Sequence, residues 1–81
     1  MRLDKFLKIS RVIKRRTIAN EVCDAGKISV DGRVVKASYQ VSIGDKLSIT
    51  IGDRTSVYEV LSIEEVVGKD AARNMVRQLD R

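Results

Sequence analysis

RLDKFLKISRVIKRRTIANEVCDAG, residues 2–26, is the stretch whose reading decides the fold. Leu3, Phe6 and Leu7 recur at i, i+3 and i+4, which puts one apolar stripe on a short helix and leaves Arg2, Lys5 and Lys8 on its flanks. Ser10 is a plausible break, so a linker over Ser10 to Lys14 is expected, with Val12 and Ile13 tucked beneath it. Ile18, Ala19, Val22 and Ala25 then mark a second helix from about Arg15 to Ala25. Gly26 stands where a left-handed C-terminal cap is wanted. The segment reads as a helix-loop-helix.

After Gly26 the apolar period falls from about 3.6 to 2. Ile28 and Val30 alternate with Ser29, and Asp31-Gly32 supplies the positive φ of a type I′ turn before Arg33, Val34 and Val35. Gly44-Asp45 is a second turn signal, followed by a half-buried strand through Leu47, Ile49 and Ile51. Gly52-Asp53 turns the chain again into a strand over residues 56–63, expected to be apolar on most of both faces. Beyond it, Asp70 is placed to cap a last helix with Ala72, Met75, Val76 and Leu79 on its apolar face. Arg73, Arg77 and Arg81 would form a basic stripe on that helix, either solvated charge or a second contact surface. The fold class is therefore α+β, divided into residues 1–63 and a helical appendix over 64–81.

The 81 residues leave room for one domain with a modest core and exclude a large cleft between two lobes. Cys23 is the sole cysteine and there is no histidine, so neither a disulfide nor a metal centre is expected, and no cofactor. No histidine base, Ser-His-Asp set or G-x-S-x-G motif is present, and no catalytic residue is assigned. No apolar run suits a transmembrane helix and the start does not resemble a signal peptide, so the expectation is a cytoplasmic chain without a membrane partner.

The net charge is +5, and it is unevenly spread: ten of the 16 Lys/Arg but four of the 11 Asp/Glu fall in residues 1–36. The partner is therefore expected to be a polyanion bound through the N-terminal part. The candidate contacts are Arg2, Lys5, Lys8, Arg11, Lys14, Arg15 and Arg16, accompanied by one acid, Asp4. Lys14, Arg15 and Arg16 open the second helix, where the macrodipole disfavours cations by a few tenths of a kcal/mol each. A bound phosphate would offset that cost and satisfy the free N–H groups. Asp4 can cap the first helix or orient a guanidinium such as that of Arg16. With Phe6, Tyr39 and Tyr58 as the only aromatics, reading of RNA shape and phosphate spacing is favoured over stacking on many bases. Contact with about six phosphates would lose roughly 10³-fold in affinity between 50 and 200 mM salt.

Four blocks now stand in order: residues 2–7 (RLDKFL), 14–19 (KRRTIA), 26–32 (GKISVDG) and 41–47 (VSIGDKL). Together they resemble the RNA-binding domain first described in ribosomal protein S four. The resemblance implies an αL-type module, a helix-loop-helix packed on a small, bent antiparallel sheet, that holds structured RNA through its two helices. It implies RNA contacts at Arg2, Lys5, Arg11, Lys14, Arg15 and Arg16, with Asp4 as the orienting acid. The opening MRLDKFLK and the block SRVIKRRT are similar to the stand-alone ribosome-quality-control branch of that family. That likeness implies a monomer acting on an obstructed large ribosomal subunit, with 23S rRNA and peptidyl-tRNA as partners. It also implies support of alanine tailing by a partner protein that recruits Ala-tRNA. The heat-shock branch, which recognises large subunits with peptidyl-tRNA, is the alternative; its members carry a longer basic C-terminal extension. Ala37 stands where the family often has proline, which leaves the bend after Lys36 open.

Overall fold

A computed structural model describes residues 1–65 and 68–79. Helix α1 covers Leu3–Ile9, α2 Arg16–Asp24 and α3 Lys69–Arg73; the strands are β1 Ile28–Val30, β2 Arg33–Val34, β3 Lys46–Ile51, β4 Arg54–Val60 and β5 Val76–Gln78. Among the described residues the strands form one antiparallel sheet in the order β2-β1-β3-β4-β5. The two N-terminal helices and the sheet bury a shared core that includes Leu3, Phe6, Leu7, Ala19, Cys23, Ile28 and Leu47.

Seven residues are too few for a helix to persist alone in water, so α1 depends on tertiary support. Leu3, Phe6 and Leu7 supply it by burial, as the spacing predicts. The unpaired N–H groups at its start donate to the loop before β3: Leu3 to the Tyr39 carbonyl at 2.8 Å and Asp4 to that of Ala37 at 3.2 Å. Arg2 bridges Gln40 beside them. The buried Ala37 thus lies at the point where the loop anchors the start of α1.

The exit from α1 is tight. Ser10 N–H donates to Phe6, Arg11 N–H to Lys8 and Ile13 N–H to Leu7, which returns the chain under the helix and buries Ile13. Arg11 takes a left-handed φ of 65°, a conformation that costs a non-glycine residue about 1 kcal/mol. Helix α2 ends in a Schellman motif: Gly26, at φ 78°, donates to the Cys23 carbonyl and Lys27 to that of Val22. The Asp31-Gly32 turn has φ 51° and 86°, and pairs Val30 with Arg33 as a type I′ hairpin requires.

Two expectations for the C-terminal third are corrected. The strand expected over 56–63 runs Arg54–Val60, and its Val57 and Tyr58 are half-buried rather than covered on both sides. The last helix stops at Arg73, and Gly68 rather than Asp70 occupies its N-cap. Val76 belongs instead to β5, which pairs Val60 with Val76 and Tyr58 with Gln78. The open edge of β4 and the burial of Met75 explain the switch. The Met75 carbonyl accepts from Leu61 and Ser62, bonds that a continuous helix there would forgo. The basic stripe dissolves with the helix: Arg73 ends α3, Arg77 lies on β5 and donates to Glu59 at 2.6 Å, and Arg81 is outside the described residues.

Candidate nucleic-acid interface

The centre of the basic face is Asp4, only 2% exposed. Residues 4 and 20 meet because α1 and α2 pack together, and among the described residues the hydrogen bonds to this carboxylate come from the helix pair and the N-cap of α1. Arg2 approaches as a fork, Nε to Oδ1 and Nη2 to Oδ2, both at 3.2 Å. Arg16 Nη2 donates to Oδ1 at 3.4 Å, Asn20 Nδ2 to Oδ2 at 3.2 Å and the Lys5 amide to Oδ1 at 2.8 Å. Burial pushes the carboxyl pKa up, but the bonds from Arg2, Asn20, the Lys5 amide and Arg16 outweigh it and hold the group at about 2. Asp4 is therefore ionised at neutral pH and accepts from two guanidinium groups at once. The Arg2 and Arg16 side chains stay about half exposed.

Arg2, Lys5 and Arg16 line one cleft of about 550 Å³ with Gln40, Ile63 and Glu65. Lys5 is paired across it with Glu65, a contact between residues sixty positions apart. A second cleft of about 410 Å³ shares Arg16 and adds Asp4, Thr17, Asn20 and Glu21. At the start of α2, Arg15 is the N-cap without a side-chain capping bond, and no acid stands in the first turn. The helix thus presents uncapped N–H groups beside the guanidinium of Arg16.

The remaining sequence candidates, Lys8, Arg11, Lys14 and Arg15, are exposed, and among the described residues none has a carboxylate partner. Lys8 and Arg11 are joined by the main-chain bond at the end of α1. The structure thus gathers Arg2, Lys5 and Arg16 directly and leaves the other four exposed on the helices' ends and their linker. Ser10, the expected break after α1, is buried and directs its hydroxyl to the Leu7 carbonyl.

Asn20 and Gln40, isolated polar residues in the sequence, both belong to this region. The available signal for Asn20 was its spacing of four from Arg16, which puts both on one face of α2. Cys23 sits behind the face, fully buried; burial, then the charges of Asp4 and Asp24, push its thiol up to about 11. It contributes packing and no thiolate.

The S4 domain family matches residues 1–47. The RQC P-site tRNA stabilizing factor of Halalkalibacterium halodurans is 49% identical over 75 residues, covering 93% of this chain and 85% of that protein. Its Bacillus subtilis counterpart is 48% identical, over 93% of this chain and 87% of that protein. Among solved structures, Heat Shock Protein 15 of Vibrio cholerae superposes with a TM-score of 0.86 at 28% identity, over 96% of this chain and 80% of that one.

Proposed function

This chain belongs to the S4 domain family, and from that premise we propose that it is an RNA-binding ribosome quality control factor that steadies tRNA in the P site of the large subunit. The observation that carries the reading is the pair of guanidinium groups fixed on the buried Asp4 carboxylate beside an uncapped helix N-terminus. A carboxylate that accepts from Arg2 and Arg16 leaves their outer donors fixed in direction, ready for phosphate oxygens at a set spacing. The exposed Lys8, Arg11, Lys14 and Arg15 extend that positive field along the helix pair and steer a polyanion toward it.

In this reading residues 1–63 bind RNA, and Arg2, Lys5, Lys8, Arg11, Lys14, Arg15 and Arg16 take phosphates from 23S rRNA and peptidyl-tRNA on an obstructed 50S particle. Asp4 is the positioning residue. The chain acts in the cytoplasm as a binding module, holding the tRNA still while a partner that recruits Ala-tRNA extends the nascent chain with alanine. Names of relatives at 49% and 48% identity support this reading over the heat-shock alternative, which rests on a likeness at 28%.

The test is co-sedimentation with 50S particles that carry peptidyl-tRNA. Arg16→Ala should abolish pelleting at moderate salt, while Arg77→Ala, which removes a cation from the far sheet edge, should leave it unchanged. Equal pelleting of both variants would reject the site. In a reconstituted tailing reaction, Arg16→Ala should also shorten the alanine tails.

A further inference from the structure

The two faces of β3 and β4 follow from their pairing. Ile51 faces Arg54 and Leu47 faces Tyr58, so Leu47, Ile49 and Ile51 share the inner face with Arg54, Ser56 and Tyr58. Leu47 and Ile49 are buried in the core, but Ile51 is 59% exposed, so cover is lost toward the hairpin end of these strands. The α1–α2 linker closes one side of the space that remains, through Val12 and Ile13. The result is a groove of about 360 Å³, at the low end of the range for small-ligand clefts.

We propose that this groove takes one unpaired nucleotide of the RNA held by the basic face, an inference that rests on the RNA-binding reading above. Three observations favour a nucleotide. The walls combine Val12, Ile13 and Ile51 with the phenol ring of Tyr58, a lining suited to the flat apolar faces of a base, and Ser56 adds a hydroxyl for its edge. No acidic residue lines the groove, and Arg54 at its border has no carboxylate partner among the described residues. The linker that supplies Val12 and Ile13 also carries the exposed cations Arg11 and Lys14, so an RNA backbone tracked by that linker passes the groove. None of the groove's lining residues belongs to the two clefts around Asp4, so this is a separate site.

The experiment measures affinity by fluorescence anisotropy for a blunt RNA hairpin and for the same hairpin with a short unpaired tail at its 3′ or 5′ end. The wild-type chain should bind at least one tailed form about 5-fold or more tightly than the blunt form, the lower end of what one stacked base contributes. Ile51→Glu should erase that gain. Val34→Glu, the same charge change at an equally exposed residue on β2, should keep it and should match Ile51→Glu on the blunt hairpin. In NMR titrations the amides of Ile51, Arg54 and Tyr58 should shift with tailed RNA and not with blunt RNA. If the blunt hairpin binds but neither tail adds affinity, or if Ile51→Glu retains the gain, the groove assignment is wrong and the basic face stands. If neither RNA binds, both readings fall.

Discussion

Replacing Asp4 with asparagine separates two accounts of the basic face that predict opposite signs. If only net charge mattered, Asp4→Asn would tighten RNA binding by removing an acid from among cations. If Asp4 positions Arg2 and Arg16, the same change weakens binding, because the two guanidinium groups lose the negative charge and one of the two oxygens that hold them. The stability effect can be worked out from the carboxyl, whose pKa is about 2 in the folded chain against 3.8 unperturbed. At 1.36 kcal/mol per unit, that difference makes the ionised carboxylate worth about 2 kcal/mol. The folded value is the depressed one, so this stability is fully present above pH 4 and drains away as pH falls from about 4 to 2. Urea titrations followed by circular dichroism should show Asp4→Asn about 2 kcal/mol less stable at pH 7, with the gap closing near pH 2. Binding should weaken, and the slope of log affinity against log salt should fall by about 1 to 2, one for each phosphate that Arg2 and Arg16 cease to neutralise. A variant that binds RNA more tightly, or a stability gap that does not change with pH, would refute the positioning role.

Arg11→Gly should relieve the left-handed strain and stabilise the chain by up to about 1 kcal/mol in thermal melts while weakening RNA binding, so stability and affinity move in opposite directions. Cys23 should resist alkylation in the native state at neutral pH, since a thiol near 11 rather than 9 carries about 100-fold less thiolate before burial is counted; denaturant should restore ordinary reactivity. Leu47→Ala, at a fully buried position where β3 meets the helices, should cost about 2–5 kcal/mol in urea denaturation. Because the lost volume lies behind the basic face, samples that remain folded should keep their salt dependence of RNA binding.

The N-terminal half was legible because its signals are local. Leu3, Phe6 and Leu7 fix one helix face, Gly26 ends the second helix, and Asp31-Gly32 admits one tight turn. The seven cations were visible as a cluster in the sequence, and Asp4 as the acid among them. The C-terminal third was not legible for the opposite reason. Ala72, Met75, Val76 and Leu79 fit a helical period, yet the chain leaves the helix at Asn74, and bonds from Leu61 and Ser62 to the Met75 carbonyl draw it toward the sheet edge. Periodicity over four apolar positions cannot weigh a strand edge that the rest of the fold supplies. Asn20 and Glu65 escaped notice on similar grounds: their partners, Asp4 and Lys5, lie 16 and 60 positions away.

The central claim is that RNA meets this chain on the face built around Asp4. Crosslinking the purified chain to 50S particles that carry peptidyl-tRNA, followed by mapping of both the attached peptides and the attached RNA, tests it most directly. Crosslinks are expected from residues 2–20 to 23S rRNA and to tRNA, reduced in Arg16→Ala. Crosslinks that cluster instead on the β1–β2 hairpin or on α3, and persist in Arg16→Ala, would contradict it.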